Sequence, residues 1–496
     1  MPEIEIKGIA ASNQFPTEKD GSLGEVLDVE VGALPFTAEE ERRVKLKTDL
    51  VILPLLCCVF FLQYLDKQSL SYASVFGLIT DLKLKGTEYS WCSSIFYIGQ
   101  LVSEYPFIYL MSRLPLAKFV GFTIVIWGIV CMCLAAPSNY AGFATVRFLL
   151  GFCEGAVSPA FVTISSIWYR KSEHPMRIGA WITMNGLAQI VGALLMYGIG
   201  KNSSFPLAPW RILFLICGAL TSAMGVVFFF VMPSGPDTAW FFTAREREVA
   251  AMRLARDHEG GDKTNFSMPQ LLEALTDIKS WITFGFGVLV TMPSLVLTFA
   301  SLVISNIGYD KFHTMLYTAP SGAVQIFFIW IGVLGCHLFP RNRSLIVMIL
   351  VIVPLIGNIL LLKLSLSSGW GMIVASWLAS VISDIFSITL SLSASNVKGN
   401  TKRAVVNTMY FIGYCAGCIG APQLWLSNQK PRYKQGLITD LVAWGILLMV
   451  MPYYWYICHS ENKRRDKLEA EGGNTAIFEK GADVTDGEDL SFRYNC

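Results

Sequence analysis

Apolar runs long enough to cross a membrane recur along most of this 496-residue chain. A helix needs about 20 predominantly apolar residues to span a bilayer. By that rule twelve candidates fall near 50–76, 88–111, 117–136, 140–168, 176–199, 210–232, 279–306, 314–338, 344–363, 369–395, 404–427 and 436–458. Backbone groups in hydrocarbon must bond within their own segment, so runs of this length dictate helices. The expected fold class is an all-α polytopic membrane protein. Charged residues make up 15% of the chain, against about 25% in globular proteins. A net charge of +2 gives no reason to expect a nucleic-acid partner.

The loops between the runs set a topology. No secretory signal pattern opens the chain: acids Glu39 to Glu41 are followed by Arg42, Arg43, Lys45 and Lys47. Basic residues after even-numbered spans, among them Arg113, Lys118, Arg170, Lys171, Arg177, Arg245, Arg341, Arg343, Lys398 and Lys402, outnumber those after odd-numbered ones. The positive-inside rule therefore places the even loops and both termini in the cytosol. On this topology Asn202, in Asn202-Ser203-Ser204, is an outward-facing glycosylation candidate, whereas Asn265-Phe266-Ser267 faces inward.

The longest polar interruption divides the chain. It gives an N-terminal tail over 1–47, a six-helix half over 48–232, a cytosolic linker over 233–278, a second six-helix half over 279–459 and a C-terminal tail over 460–496. Within the linker, T-A-R-E-R-E-V-A-A-M-R-L-A-R-D reads as a charged surface helix capped by Thr243. Six plus six spans around a long central loop is the arrangement of the major facilitator fold, whose halves enclose a midplane site. No G-x-x-x-x-G-K-[ST] loop occurs, so a gradient rather than ATP is the expected energy source.

Arg147 and Glu154 lie inside the apolar run A-G-F-A-T-V-R-F-L-L-G-F-C-E-G-A-V. Seven residues separate them, so they share one helix face, about 20° apart and two turns distant. A charge at the centre of a membrane helix costs about 2.5 to 3.5 kcal/mol on insertion scales, which makes such residues functional candidates. The structural alternative is an ion pair that pins this helix to its neighbours.

The residues L-D-K-Q-S-L-S-Y-A-S, T-D-L-K-L-K-G-T-E-Y-S-W, R-F-L-L-G-F-C-E-G, R-I-G-A-W-I-T-M-N-G-L, E-N-K-R-R-D-K-L-E-A-E and the terminal F-R-Y resemble the fungal allantoate permease family, in the anion:cation symporter branch of the major facilitators. The resemblance covers nearly all of residues 40 to 496. It implies proton-coupled uptake of a small organic anion such as allantoate, ureidosuccinate or nicotinate. It further implies a coupling site formed by an acidic-basic pair in the first span and an Arg-x6-Glu in the fourth, here Asp66-Lys67 and Arg147 with Glu154. Asp66 and Glu154 are then the expected proton carriers, and Lys67 and Arg147 the expected anion ligands, because an arginine fork matches a carboxylate.

Further residues carry smaller expectations. Tyr97, Asn185 and Tyr410 are candidate cavity hydrogen-bonding groups, since alternating-access sites recruit several helices from both halves. Glu104 and Arg113 are gating candidates; Pro106 should bend the second span. Arg113 and Lys118 are all that L-M-S-R-L-P-L-A-K keeps of the glycine-framed basic motif usual in that loop of the fold. Gly151 and Gly155 form a G-x-x-x-G that lets another helix approach. Asp384 reads as the one acid within a well-defined span of the second half.

Cys57, Cys58, Cys131, Cys133, Cys153, Cys415 and Cys418 lie in apolar runs, where cysteine acts as a small hydrophobe, so neither a metal nor another cofactor is expected. No nucleophile motif or cofactor loop suggests an enzyme. The protein is expected as a monomer in the plasma membrane. Export of a fungal secondary metabolite and a transport-dead nutrient sensor are the alternatives to uptake.

Overall fold

The computed structural model describes residues 36–155, 157–170, 173–202, 206–255, 266–306, 308–429, 432–471 and 483–496. Helices occupy every apolar run. In the first half they are α1 (Ala38–Val75), a short α2 (Leu78–Asp81), α3 (Glu88–Arg113), α4 (Leu116–Cys133), α5 (Tyr140–Glu154), α6 (Val157–Trp168), α7 (His174–Lys201) and α8 (Pro209–Val231). The linker carries α9 (Ala244–Ala255) and α10 (Met268–Thr276). The second half comprises α11 (Ile278–Thr291), α12 (Leu295–Asn306), α13 (Lys311–Thr318), α14 (Pro320–Leu338), α15 (Arg343–Lys363), α16 (Trp370–Ala379), α17 (Ser383–Ser395), α18 (Asn400–Gly420) and α19 (Lys434–Ala470). Among the described residues nine helices are long and apolar enough to cross a membrane by length and composition.

Several expected spans are broken. The run at 140–168 is divided near Gly155, the run at 279–306 by a 3-10 turn at Met292–Ser294 with buried Pro293, and the run at 369–395 between Ala379 and Ser383. Broken helices at membrane depth persist where the freed backbone is buried in protein or lines a cavity. Close helix approach explains the glycine motif. A Cβ on Gly151 would lie 1.8 Å from the Phe96 carbonyl oxygen, and one on Gly155 2.0 Å from the Ser103 hydroxyl, both on α3. Gly186 of α7 and Gly322 of α14 approach each other in the same way across the two halves.

α1 begins about ten residues earlier than the expected span. Thr37 and Glu40 form a capping box, and the acids Glu39 to Glu41 suit the positive helix start. These first turns enter an ionic lattice: Glu41 binds Arg170 at 2.6 Å and Arg253 at 3.2 Å, Asp49 binds Arg177 at 2.7 Å and Lys47 binds Glu246 at 2.7 Å. Thr243 caps α9 as expected: its hydroxyl accepts the Glu246 N–H, and Glu246 accepts the Thr243 N–H.

The described part of the C-terminal region, 483–496, folds back against α10, α11, α18 and α19. Asp486 binds Lys402 at 2.8 Å and Lys279 at 3.3 Å and accepts the Tyr494 hydroxyl at 2.7 Å. Arg465 donates to the carbonyls of Asp486, Asp489 and Phe492. Cys496 exchanges backbone hydrogen bonds with Arg341 and Ser344. Both described chain ends thus lie beside the linker helices, at what we term the linker end of the bundle.

Candidate functional site

A cavity of about 160 Å³ lies between the halves. The first half supplies wall residues from α1, α3, α5 and α7, including Gln63, Tyr64, Lys67, Tyr97, Gln100, Arg147 and Asn185. The second half supplies Thr291, Ser294, Ser383, Phe386, Phe411, Tyr414 and Cys418. Among the described residues every charge on the wall, Lys67 and Arg147, comes from the first half.

Glu154 is fully buried, with 0% exposure, just behind this wall. Its Oε1 accepts Lys67 Nζ at 3.0 Å and Gln63 Nε2 at 2.9 Å, and its Oε2 has no partner. Gln63 and Lys67 are one turn apart on α1 and meet the acid as a pair of donors. Arg147 sits two turns from Glu154 on α5 and does not bind it. Instead its Nε donates to the Cys92 carbonyl at 3.1 Å, its guanidinium lies 5.1 Å from the centre of the Phe96 ring, and its buried Nη1 has no partner. A planar cation is therefore held from one side with hydrogen-bonding capacity left over.

The adjacent Asp66 and Lys67 are parted by the helix, since neighbours diverge by about 100°. Lys67 faces the cavity. Asp66, 1% exposed, faces α4, where its carboxylate accepts the Trp127 indole N–H at 2.9 Å and the Cys131 thiol at 3.1 Å.

The remaining candidates separate by position. Tyr97 and Asn185 line the cavity; Tyr97 packs 5.9 Å from Tyr414 across the halves, and Asn185 Nδ2 reaches Ser383 Oγ at 3.5 Å. Tyr410 is packed inside the second half with its hydroxyl 3.0 Å from Thr389 Oγ1, while Phe411 and Tyr414 form the wall on that helix. Glu104 is half-buried on α3 outside the wall, and Arg113 is exposed beneath its own Tyr109 ring, 5.6 Å away. Asn202 is exposed, and Ser203 and Ser204 of its sequon, like Asn265, lie outside the described residues.

Asp384 is not the one acid in the spans of the second half. Asp440 on α19 is also 1% exposed, and neither carboxylate has a hydrogen-bond partner. It sits only about one turn into the run at 436–458, beside polar loop sequence, where an acid reads as part of the loop. Gln63, Phe96 and Trp127 were missed as well, because an uncharged residue in an apolar run carries no electrostatic signal. The i, i+4 spacing of Gln63 and Lys67 was the one available clue.

Residues 56–422 match the family model of the Major Facilitator Superfamily. The chain belongs to the major facilitator superfamily. Its relatives include an uncharacterized transporter from Schizosaccharomyces pombe, 36% identical over 99% of this chain and 96% of that one. The allantoate permease of Saccharomyces cerevisiae is 30% identical over 94% of this chain and 88% of its own, and a thiamine pathway transporter from the same yeast is 33% identical over 91% and 86%. Among solved structures, a bacterial homologue of the lysosomal transporter Spinster in an inward-facing conformation matches with a TM-score of 0.59 at 13% identity, covering 85% of this chain and 97% of that one. The xylose transporter XylE from E. coli, partially occluded and inward open, matches with a TM-score of 0.59 at 12% identity, covering 82% and 98%. This major facilitator is a multi-pass membrane transporter, not an enzyme, and the cavity lies between its halves as in the midplane sites of such folds.

Proposed function

We propose that this protein carries a small organic anion into the cell together with a proton, by alternating access across twelve membrane crossings with both ends in the cytosol. The buried Lys67–Glu154 pair beside the incompletely paired Arg147 supports this reading most strongly.

Charge balance gives the coupling. With Lys67 and Arg147 cationic and Glu154 anionic, the site carries a net charge of +1. A substrate carboxylate that binds the two cations takes Lys67 from Glu154. A buried carboxylate stripped of its counter-ion is destabilised by several kcal/mol, and binding a proton removes that penalty. Anion and proton together then leave the net charge at +1, so the loaded and empty sites can cross the same low-dielectric pathway. Asp66 is held by two donors on the far side of α1, so we assign the travelling proton to Glu154 and a supporting role to Asp66. Tyr97, Asn185 and Ser383 would orient the uncharged part of the substrate.

The direction of opening follows from the seals. Across the halves, among the described residues, Ser71 bonds Ser301, and Ser94 donates to the Ile419 carbonyl and accepts from Gln423, all beyond the cavity and away from the linker. On the linker side the halves meet by apolar packing of Gly179, Trp181 and Ile182 with Ile329 and Val333, and we assign that side to the cytosol and to the opening of the cavity. The relatives named for allantoate and the thiamine pathway favour carboxylates and vitamin-like compounds. A plasma-membrane location fits uptake.

Uptake of labelled allantoate, ureidosuccinate, nicotinate, pantothenate and a dipeptide should be measured in cells lacking their own permeases, across a range of external pH. Accumulation of at least one anion that rises as external pH falls supports the reading. Indifference to pH, or uptake of all anions persisting in Arg147→Ala, contradicts it.

A further inference from the structure

We propose that Glu104 is the relay through which the coupling proton leaves the cavity toward the linker end, on the proton-coupled reading given above. Glu104 stands seven residues beyond Tyr97 on α3, about 20° around the helix and about 10 Å along it, with Gln100 between them. Tyr97 and Gln100 are on the cavity wall, and Glu104 is the next side chain on that stripe toward the linker end. It is half-buried on α3, the helix of the first half that packs against α18 of the second. No ion pair holds it among the described residues.

A second observation points to a proton at this position. Gln100 is 7% exposed, and its Oε1 accepts no hydrogen bond. Gln100 and Glu104 are i, i+4 neighbours on one helix face. A carboxylic acid has an O–H to give that oxygen, whereas a carboxylate has none. The arrangement therefore has a place for Glu104 in its protonated form, one turn from the cavity.

The titratable groups around this stretch are Glu154 and Arg147 of α5, Lys67 of α1, Tyr414, Cys415 and Cys418 of α18, and Tyr97 on α3 itself, with Lys118 of α4 and Arg113 exposed at the linker end. Among them only Glu154 and Glu104 are carboxyl groups. In the relay step the O–H bond of Glu154 breaks as the anion departs, and the proton passes through cavity water to the Glu104 carboxylate. Glu104 then releases it to water at the linker end, and Glu154 is left anionic and pairs again with Lys67. No other bond changes.

The test uses full-length protein in vesicles and the labelled anion from the panel that wild type accumulates, beginning with allantoate. Glu104→Gln should cut accumulation driven by a pH gradient about tenfold, an effect of the size expected for losing a positioned proton-transfer group. Exchange of labelled for unlabelled anion, which needs no net proton release, should stay within about twofold of wild type, and Glu104→Asp should restore accumulation. Wild-type-like accumulation in Glu104→Gln overturns the proposal, as does a parallel loss of accumulation and exchange, the mark of a structural role. Wild-type accumulation indifferent to the pH gradient instead overturns the proton-coupled reading itself, and the relay with it.

Discussion

Lys67 on α1 binds Glu154 on α5 at 3.0 Å, although the sequence places Asp66 beside the lysine and Arg147 on the same face as the glutamate. The first half therefore crosses its two motifs: the cation of one pairs with the acid of the other.

Lys67→Met removes the counter-ion of a group with no exposure to solvent. Breaking a buried pair in this way costs about 3 to 5 kcal/mol. The melting temperature of the purified variant should fall clearly below wild type at pH 8, and adding Glu154→Gln should recover most of the loss. An unchanged melting temperature in the single variant would show that the pair contributes nothing.

Arg147→Lys keeps the charge and discards the fork. The Nε contact to the Cys92 carbonyl and the stacking on Phe96 both depend on a planar guanidinium. The KM for the transported anion should rise about tenfold, equivalent to about 1.4 kcal/mol, with the protein still at the cell surface. Concentration-dependent uptake alongside surface labelling reads both quantities, and an unaltered KM would remove Arg147 from the binding site.

The seam between α3 and α5 leaves no room for a methyl group. With a Cβ on Gly151 only 1.8 Å from the Phe96 carbonyl, Gly151→Ala must push two helices apart. Overpacking of this kind destabilises by about 1 to 3 kcal/mol. Folded yield after detergent extraction should drop, while Gly198→Ala, where a Cβ meets nothing within 4 Å, should behave as wild type. Equal yields for the two would argue against the close approach.

The folded-back C-terminal segment gives a pH dependence. Burial pushes the Asp486 carboxyl up, but the Lys402 hydrogen bond and charge outweigh it and hold the group below the ordinary carboxylate range. A carboxyl depressed in the folded state stabilises above its unfolded pKa, about 3.9, and that contribution is lost as pH falls through the folded value. The segment should remain docked from neutral pH down to about pH 4 and detach below that. Asp486→Asn should expose 483–496 to protease already at pH 7. Resistance equal to wild type would mean that the ionic contacts do not hold the segment.

The positions of the helices were legible because length and apolarity are local properties that the bilayer enforces residue by residue. Thr243 as the α9 cap and the Gly151–Gly155 seam were legible for the same reason, each resting on a short-range rule. The breaks near Gly155 and at Met292–Ser294 were not, because a cavity that shelters freed backbone exists only after the halves assemble. Partner choice at the site was equally hidden. Helical spacing shows that Arg147 and Glu154 share a face, but it does not reveal that Gln63 and Lys67 approach from another helix, nor that Asp66 turns to Trp127. The C-terminal residues, which read as a cytosolic tail, dock through contacts to Asn396, Lys402 and Arg341, which lie 99, 84 and 155 residues away along the chain.

Proton uptake on anion binding tests the coupling between Lys67 and Glu154 most directly. Purified protein in weakly buffered detergent solution is mixed with the anion that wild type accumulates, and the change in pH is recorded. Wild type should take up close to one proton per bound anion, and Glu154→Gln should bind the anion with no proton uptake. Anion binding by wild type without proton uptake, or equal uptake by Glu154→Gln, would contradict the mechanism.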